Sequence, residues 1–173
     1  GGVSEHIDGN YPSTDHIILR YDIRLPKDFP FHDGGVLPGV YGGLRQNPKG
    51  GSRLSAYINW NRDGHIYLGG IFQLTTTGGS PMLSEEALPT DGEWHAIEIE
   101  AKMNEEGSHR GGYAIVRMDG EEMARQENII FRTVDSHLFD GIALFSYFGG
   151  LSTSSGAPHD TYVDIANIVL TEK

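Results

Sequence analysis

Between Arg53 and Gln73 the chain gathers side chains that can hold a sugar or move a proton, set among apolar residues with a period of two. In the middle stands Asn61-Arg62-Asp63-Gly64, which has the chemistry of a type I turn closed by a left-handed glycine, the usual three-residue hairpin loop with a bulge. Such a loop pairs Asn61 with His65, so Asn59 faces Tyr67, Tyr57 faces Gly69 and Arg53 faces Gln73. All of these share one sheet face with Ser55. The other face then carries Leu54, Ala56, Ile58, Trp60, Ile66 and Leu68, which is a core face.

An ordinary solvent-facing sheet is rich in Lys, Glu and Thr, whereas this one mixes Arg, Tyr, Asn, His and Gln. Tyr rings offer flat apolar surfaces, and Asn, Gln and Arg present fixed forks that match hydroxyls and carboxylates. Gly69 opposite Tyr57 leaves a low spot where a ligand can approach the backbone. The face has no carboxylate pair, which argues against glycoside hydrolysis. The eight His show no metal-ligating spacing and Cys is absent, so no metal site and no cofactor are expected. Asp160 and Asp164 near the last strand could hold Ca²⁺ together with backbone carbonyls, but two carboxylates are too few to assign such a site. Ser152, Ser154 and Ser155 lack the strand-to-helix turn of a nucleophile elbow.

The elements that must position this face are strands. Candidates are His16 to Arg24, Arg53 to Trp60, His65 to Leu74, His95 to Met103, Tyr113 to Met118, Gly141 to Phe148 and Tyr162 to Leu170. Thr90-Asp91-Gly92 and Met118-Asp119-Gly120 add tight turns. Seven or more strands in 173 residues predict one all-β domain over residues 1–173, an antiparallel two-sheet β-sandwich of the jelly-roll kind. A short helix near Ser84 to Leu88 is the one helical element expected, and the Gly-rich stretches Phe29 to Gly51 and Gly149 to Asp160 read as long loops.

The net charge is −11, but it is uneven: residues 34–84 carry Arg45, Lys49, Arg53 and Arg62 against Asp63 alone. A locally positive groove can bind an anion on an acidic protein because salt limits electrostatic reach to about 10 Å. Nucleic acid and anionic membranes are not expected partners. No apolar run approaches the roughly 20 residues of a membrane span. The Gly1-Gly2 start is neither an initiator nor a signal peptide, so a soluble, processed or trimmed chain is expected; the location expected for it is secreted, extracellular.

Several stretches, read in order, resemble the alginate and glucuronan lyases of the fourteenth polysaccharide lyase family. They are Gly34-Gly35-Val36-Leu37-Pro38-Gly39 with Tyr41-Gly42-Gly43, then Trp60, Asp63-Gly64 and Tyr67, then Trp94-His95, Met118-Asp119-Gly120, Phe131-Arg132 and Phe145 to Gly150. The resemblance implies a concanavalin-like jelly roll that binds a uronic-acid polysaccharide and cleaves it by metal-independent β-elimination. That reaction needs a neutralised C5 carboxylate, a base for its α-proton and an acid for the departing O4. It implies Tyr67, with His65 as alternative base, and Arg53 against the carboxylate; Arg45, Lys49, Tyr57, Asn59, Asn61 and Gln73 would bind substrate. The family pattern has Lys where this chain has Val36, Arg where it has Asn61 and a second Tyr where it has Gly69. A non-catalytic carbohydrate-binding module and a structural or adhesive sandwich are therefore the alternatives. Oligomeric state is not legible.

Overall fold

The computed structural model describes residues 2–8, 13–43, 53–71, 74–75, 83–108, 110–133, 137–149 and 156–173. Among them the chain forms strands β1 (Gly2–Asp8), β2 (His16–Arg24), β3 (Gly35–Gly43), β4 (Arg53–Trp60), β5 (Ile66–Ile71), β6 (Leu74–Thr75), β7 (His95–Lys102), β8 (Gly112–Met118), β9 (Glu121–Ile130), β10 (Phe139–Phe148) and β11 (Asp164–Glu172). Two antiparallel sheets result. Sheet A has the order β1-β10-β3-β4-β5 and sheet B the order β11-β2-β7-β8-β9-β6, the layered arrangement of a jelly roll.

Alternation explains the layering. On β2 the buried residues Ile17, Leu19, Tyr21 and Ile23 point inward, as do Ile97, Ile99 and Ala101 on β7. From sheet A they meet Leu37, Val40, Leu54, Ala56, Ile58, Trp60, Ile66 and Leu68, all at most 3% exposed, so the core face expected for the hairpin is the observed one. Trp60 is the largest of these. Its ring sits edge-on to Phe29 and Phe148, and its Nε1–H donates to the Phe31 carbonyl at 3.2 Å.

Strands β1, β3 and β9 were not expected, and the one strand expected over His65 to Leu74 divides into β5 of sheet A and β6 of sheet B; of these departures β3 matters most. The segment 29–51 was expected to be loop because Gly and Pro are poor strand formers, yet Gly35–Gly43 is a central strand of sheet A. Burial on both faces explains the small residues: a Cβ on Gly39 would overlap the Ala56 carbonyl of β4, and one on Gly42 would overlap that of Leu138. Pro38 falls where the β3–β4 register shifts between Leu37 and Gly39, so it is the extra residue of a bulge and forfeits no ladder donor. Tyr21, from the opposite sheet, donates its hydroxyl to the Pro38 carbonyl at 3.2 Å. Burial pushes the Tyr21 phenol far up, so it remains a proton donor.

The expected helix at Ser84 to Leu88 is not formed, and no helix occurs among the described residues. That segment runs as irregular chain along the open edge of β5. Ser84 N–H donates to the Ile66 carbonyl at 2.8 Å, Ile66 N–H donates to Ser84 Oγ at 2.9 Å, and Leu88 N–H donates to the Gly64 carbonyl at 2.9 Å. Backbone groups that a short helix would have bonded internally instead cover an edge strand.

On the outer face of sheet B, Glu100 is only 3% exposed and gathers four donors. Lys173 Nζ and the Tyr113 hydroxyl lie at 2.8 Å, His16 Nε2 at 2.9 Å and Arg117 Nη1 at 3.1 Å. Burial alone would raise this carboxyl. The four donors more than offset it and hold Glu100 well below the usual carboxylate range.

Candidate functional site

The turn that sets the hairpin register has the geometry its residues dictate. Gly64 takes φ +84° and donates to the Asn61 carbonyl at 3.0 Å, while Asn61 Oδ1 accepts from the Asp63 and His65 amides at 2.9 and 3.0 Å. Asn59 pairs with Tyr67 and Tyr57 with Gly69. Asn61 is thus occupied with the turn.

Neighbouring strands extend this face into rows that cross the sheet. One row runs Tyr147, Val36, Asn59, Tyr67 over β10, β3, β4 and β5. Beyond the Pro38 bulge the next runs Ala143, Gly39, Tyr57, Gly69. The two rows floor a cleft of about 350 Å³ lined by Tyr57, Asn59, Tyr67 and Tyr147, with Asp33 and the Trp60 edge at its rim. Glycines leave room that neighbouring side chains fill, so the low spot expected at Gly69 is occupied. The Asn59 side chain lies where a Cβ on Gly69 would be, and the Trp60 ring lies where one on Gly35 would be. Tyr57 is braced edge-on by Phe145 at 5.6 Å, and Phe145 is 6.3 Å from the Tyr147 ring.

Burial pushes the Tyr57 phenol up, and Tyr147 and Tyr67 push it the same way, so Tyr57 is a neutral hydrogen-bonding group at ordinary pH. The charged residue among the described lining is Asp33, which Arg62 Nη2 pairs at 3.0 Å from the turn. Val36 is 6% exposed and apolar. No described lining residue is a cation.

Of the residues expected to act together, Tyr57, Asn59 and Tyr67 meet in the cleft. His65 is not among its lining residues. Its Nδ1 is 2.9 Å from the Ser84 carbonyl, which makes Nδ1 the protonated nitrogen and ties His65 to the segment covering β5. Arg53 opens β4 and pairs with Gly43, six residues along the strand from Asn59, which is roughly 20 Å at 3.4 Å per residue. Arg45, Lys49 and Gln73 lie outside the described residues. Tyr147 and Phe145 were not anticipated as site residues. Their signal was the alternation of aromatics in Phe145-Ser146-Tyr147-Phe148, which placed them on a strand but not beside the hairpin.

The model of the family described as polysaccharide lyase 14 matches residues 3–68 and 88–168. The chain belongs to polysaccharide lyase family 14. The unmatched stretch between them is 69–87. Similar solved structures include the alginate lyase of the family from Aplysia kurodai, at 22% identity over 99% of this chain and 83% of that one, with a TM-score of 0.77. The Chlorella virus alginate lyase matches at 19% identity, covering 94% and 73%, with a TM-score of 0.72. The endo-β-1,4-glucuronan lyase of Trichoderma reesei matches at 15% identity, covering 100% and 76%, with a TM-score of 0.65. At these identities the likeness is one of fold. No curated protein sequence matches the chain.

Proposed function

We propose that this family 14 protein holds a polysaccharide across the outer face of sheet A, in a cleft whose described lining offers no cation to an elimination reaction. The observation that carries the reading is the row Tyr147, Val36, Asn59, Tyr67, in which a buried valine stands between the cleft's hydrogen-bonding side chains. Abstraction of a proton beside a carboxylate builds up negative charge, and a preformed positive group is what lowers that barrier. The described cleft offers phenols and an amide instead. These suit the apolar faces and hydroxyls of sugar rings.

The second reading is elimination, with Tyr67 transferring the proton over a substrate held by Asn59; family membership and the direct pairing of these two residues favour it. One experiment separates them. The protein is run through gels containing alginate or glucuronan, and the same polymers are incubated with it while the ultraviolet absorbance of unsaturated product is followed. Retarded migration that Tyr57→Ala and Tyr147→Ala abolish, with no unsaturated product, is the expected result. Product formation that Tyr67→Phe abolishes establishes the lyase and overturns the binding-only reading, and the absence of both retardation and product overturns the cleft as a glycan site.

A further inference from the structure

The outer face of sheet B carries a second groove, of about 240 Å³, floored by Ala96 and Gly120 and walled by Asp22, Glu98, Arg117 and Asn167. Ala96 is exposed although it lies mid-sheet, because its neighbours across the strands are polar and its own side chain is short. A bulge in β11 between Ala166 and Val169 turns Asn167 toward the groove at φ +52°, and its Nδ2–H donates to Asp22 Oδ2 at 2.6 Å. Bulges re-aim side chains in this way, and the left-handed conformation is one that Asn tolerates.

Trp94, two residues before Ala96 at the entry to β7, has 45% of its surface exposed. It is held there. Arg24 lies 4.8 Å from the ring centroid and is itself fixed by Asp164 through two hydrogen bonds, 2.9 and 2.6 Å long. Tyr162, two residues before Asp164, is also exposed. A large aromatic kept in the open by a cation bound to one side is a stacking platform.

The charges around the groove decide what it takes. Arg20 pairs with Glu98 at 2.7 Å, Arg117 with Glu98 at 2.7 Å and Glu100 at 3.1 Å, and Arg24 with Asp164 at 2.6 Å. Each of these cations is engaged by a carboxylate, so an anionic ligand finds no uncommitted positive group among them. Asp22 adds a further carboxylate. An uncharged, hydroxyl-rich ligand with an apolar face meets a stacking ring and polar walls without having to break an ion pair.

We infer that this groove, beside Trp94 on the sheet opposite the cleft, is a binding site for a neutral pyranose unit of a polysaccharide. It is independent of the sheet A cleft and of the reading given to that cleft.

The two tryptophans make the test clean, because Trp60 is 2% exposed and Trp94 is the one open to solvent. Cellohexaose, mannohexaose and laminarihexaose are titrated into the full chain while iodide quenching of tryptophan fluorescence and binding heat are recorded. At least one should bind and protect Trp94 from iodide. Ala96→Arg, which fills the floor from an exposed position, should weaken that binding at least tenfold with the circular dichroism unchanged, whereas Tyr57→Ala in the other sheet should leave it in place. The proposal is overturned if none of the three protects Trp94 at millimolar concentration, if Ala96→Arg binds as the unaltered chain does, or if an alginate hexamer protects Trp94 as well as the neutral sugars do.

Discussion

Val36→Lys places a cation in the row that lacks one. Val36 and Tyr67 are separated by β4, so their backbones are about 9.6 Å apart at about 4.8 Å per strand. A lysine stem crossing β4 above Asn59 brings its ammonium to about 6 Å from the Tyr67 hydroxyl or from a carboxylate resting over Asn59. At an effective dielectric of about 20, two unit charges about 6 Å apart attract by about 2.8 kcal/mol, roughly a hundredfold in an equilibrium or rate constant. Val36 is 6% exposed, so part of this is returned as desolvation of the ammonium. A gain of about tenfold or more in elimination is what remains. The assay is ultraviolet detection of unsaturated product from alginate, with gel retardation checking that the variant still holds the polymer. The reasoning is refuted if the unaltered chain forms product as fast as Val36→Lys, or if the variant folds and binds yet forms none.

Two further predictions concern stability. Glu100→Gln removes the charge that four donors share, and hydrogen bonds to a charged group contribute about 2 kcal/mol, so Tm at neutral pH should fall by about 4–8 °C. Because the folded carboxyl lies below its ordinary value of 4.5, its contribution is complete above that pH and is lost as pH falls through the folded value. Thermal melts across that acid range should therefore bring the two proteins together, and a gap that widens with acid would count against the assignment. Gly35→Ala drives a methyl into the Trp60 ring beneath the cleft and should cost about 1–3 kcal/mol, read as a lower denaturant midpoint with the slope unchanged. An unaltered midpoint would mean that the Trp60 ring can give way.

The hairpin was legible because one turn fixes everything that follows it. Once Gly64 supplies the positive φ, the pairings of Asn59 with Tyr67 and Tyr57 with Gly69 are arithmetic, and the apolar set falls on one face. β3 was not legible because its composition answers to crowding rather than to strand propensity: Gly39 and Gly42 are small because neighbouring carbonyls leave no room for a Cβ. Pro38 added to this by shifting the alternation by one residue in mid-strand. β9 was missed for a different reason. It carries Glu121, Glu122, Arg125, Gln126 and Glu127 on a largely exposed strand, so little of it reads as apolar alternation. Tyr147 reaches the cleft through the pairing of β10 with β3, a contact between residues over a hundred positions apart, and no local pattern announces such a neighbour.

The Pro38 bulge is also where a hydrogen bond through the core ties one sheet to the other. Tyr21 lines the groove of sheet B, its side chain turned inward, and the same residue ends in the hydroxyl that caps Pro38 under the cleft floor of sheet A. One tyrosine spans the full thickness of the sandwich. The groove of one sheet and the bulge beneath the cleft of the other are thus built on the two ends of one residue.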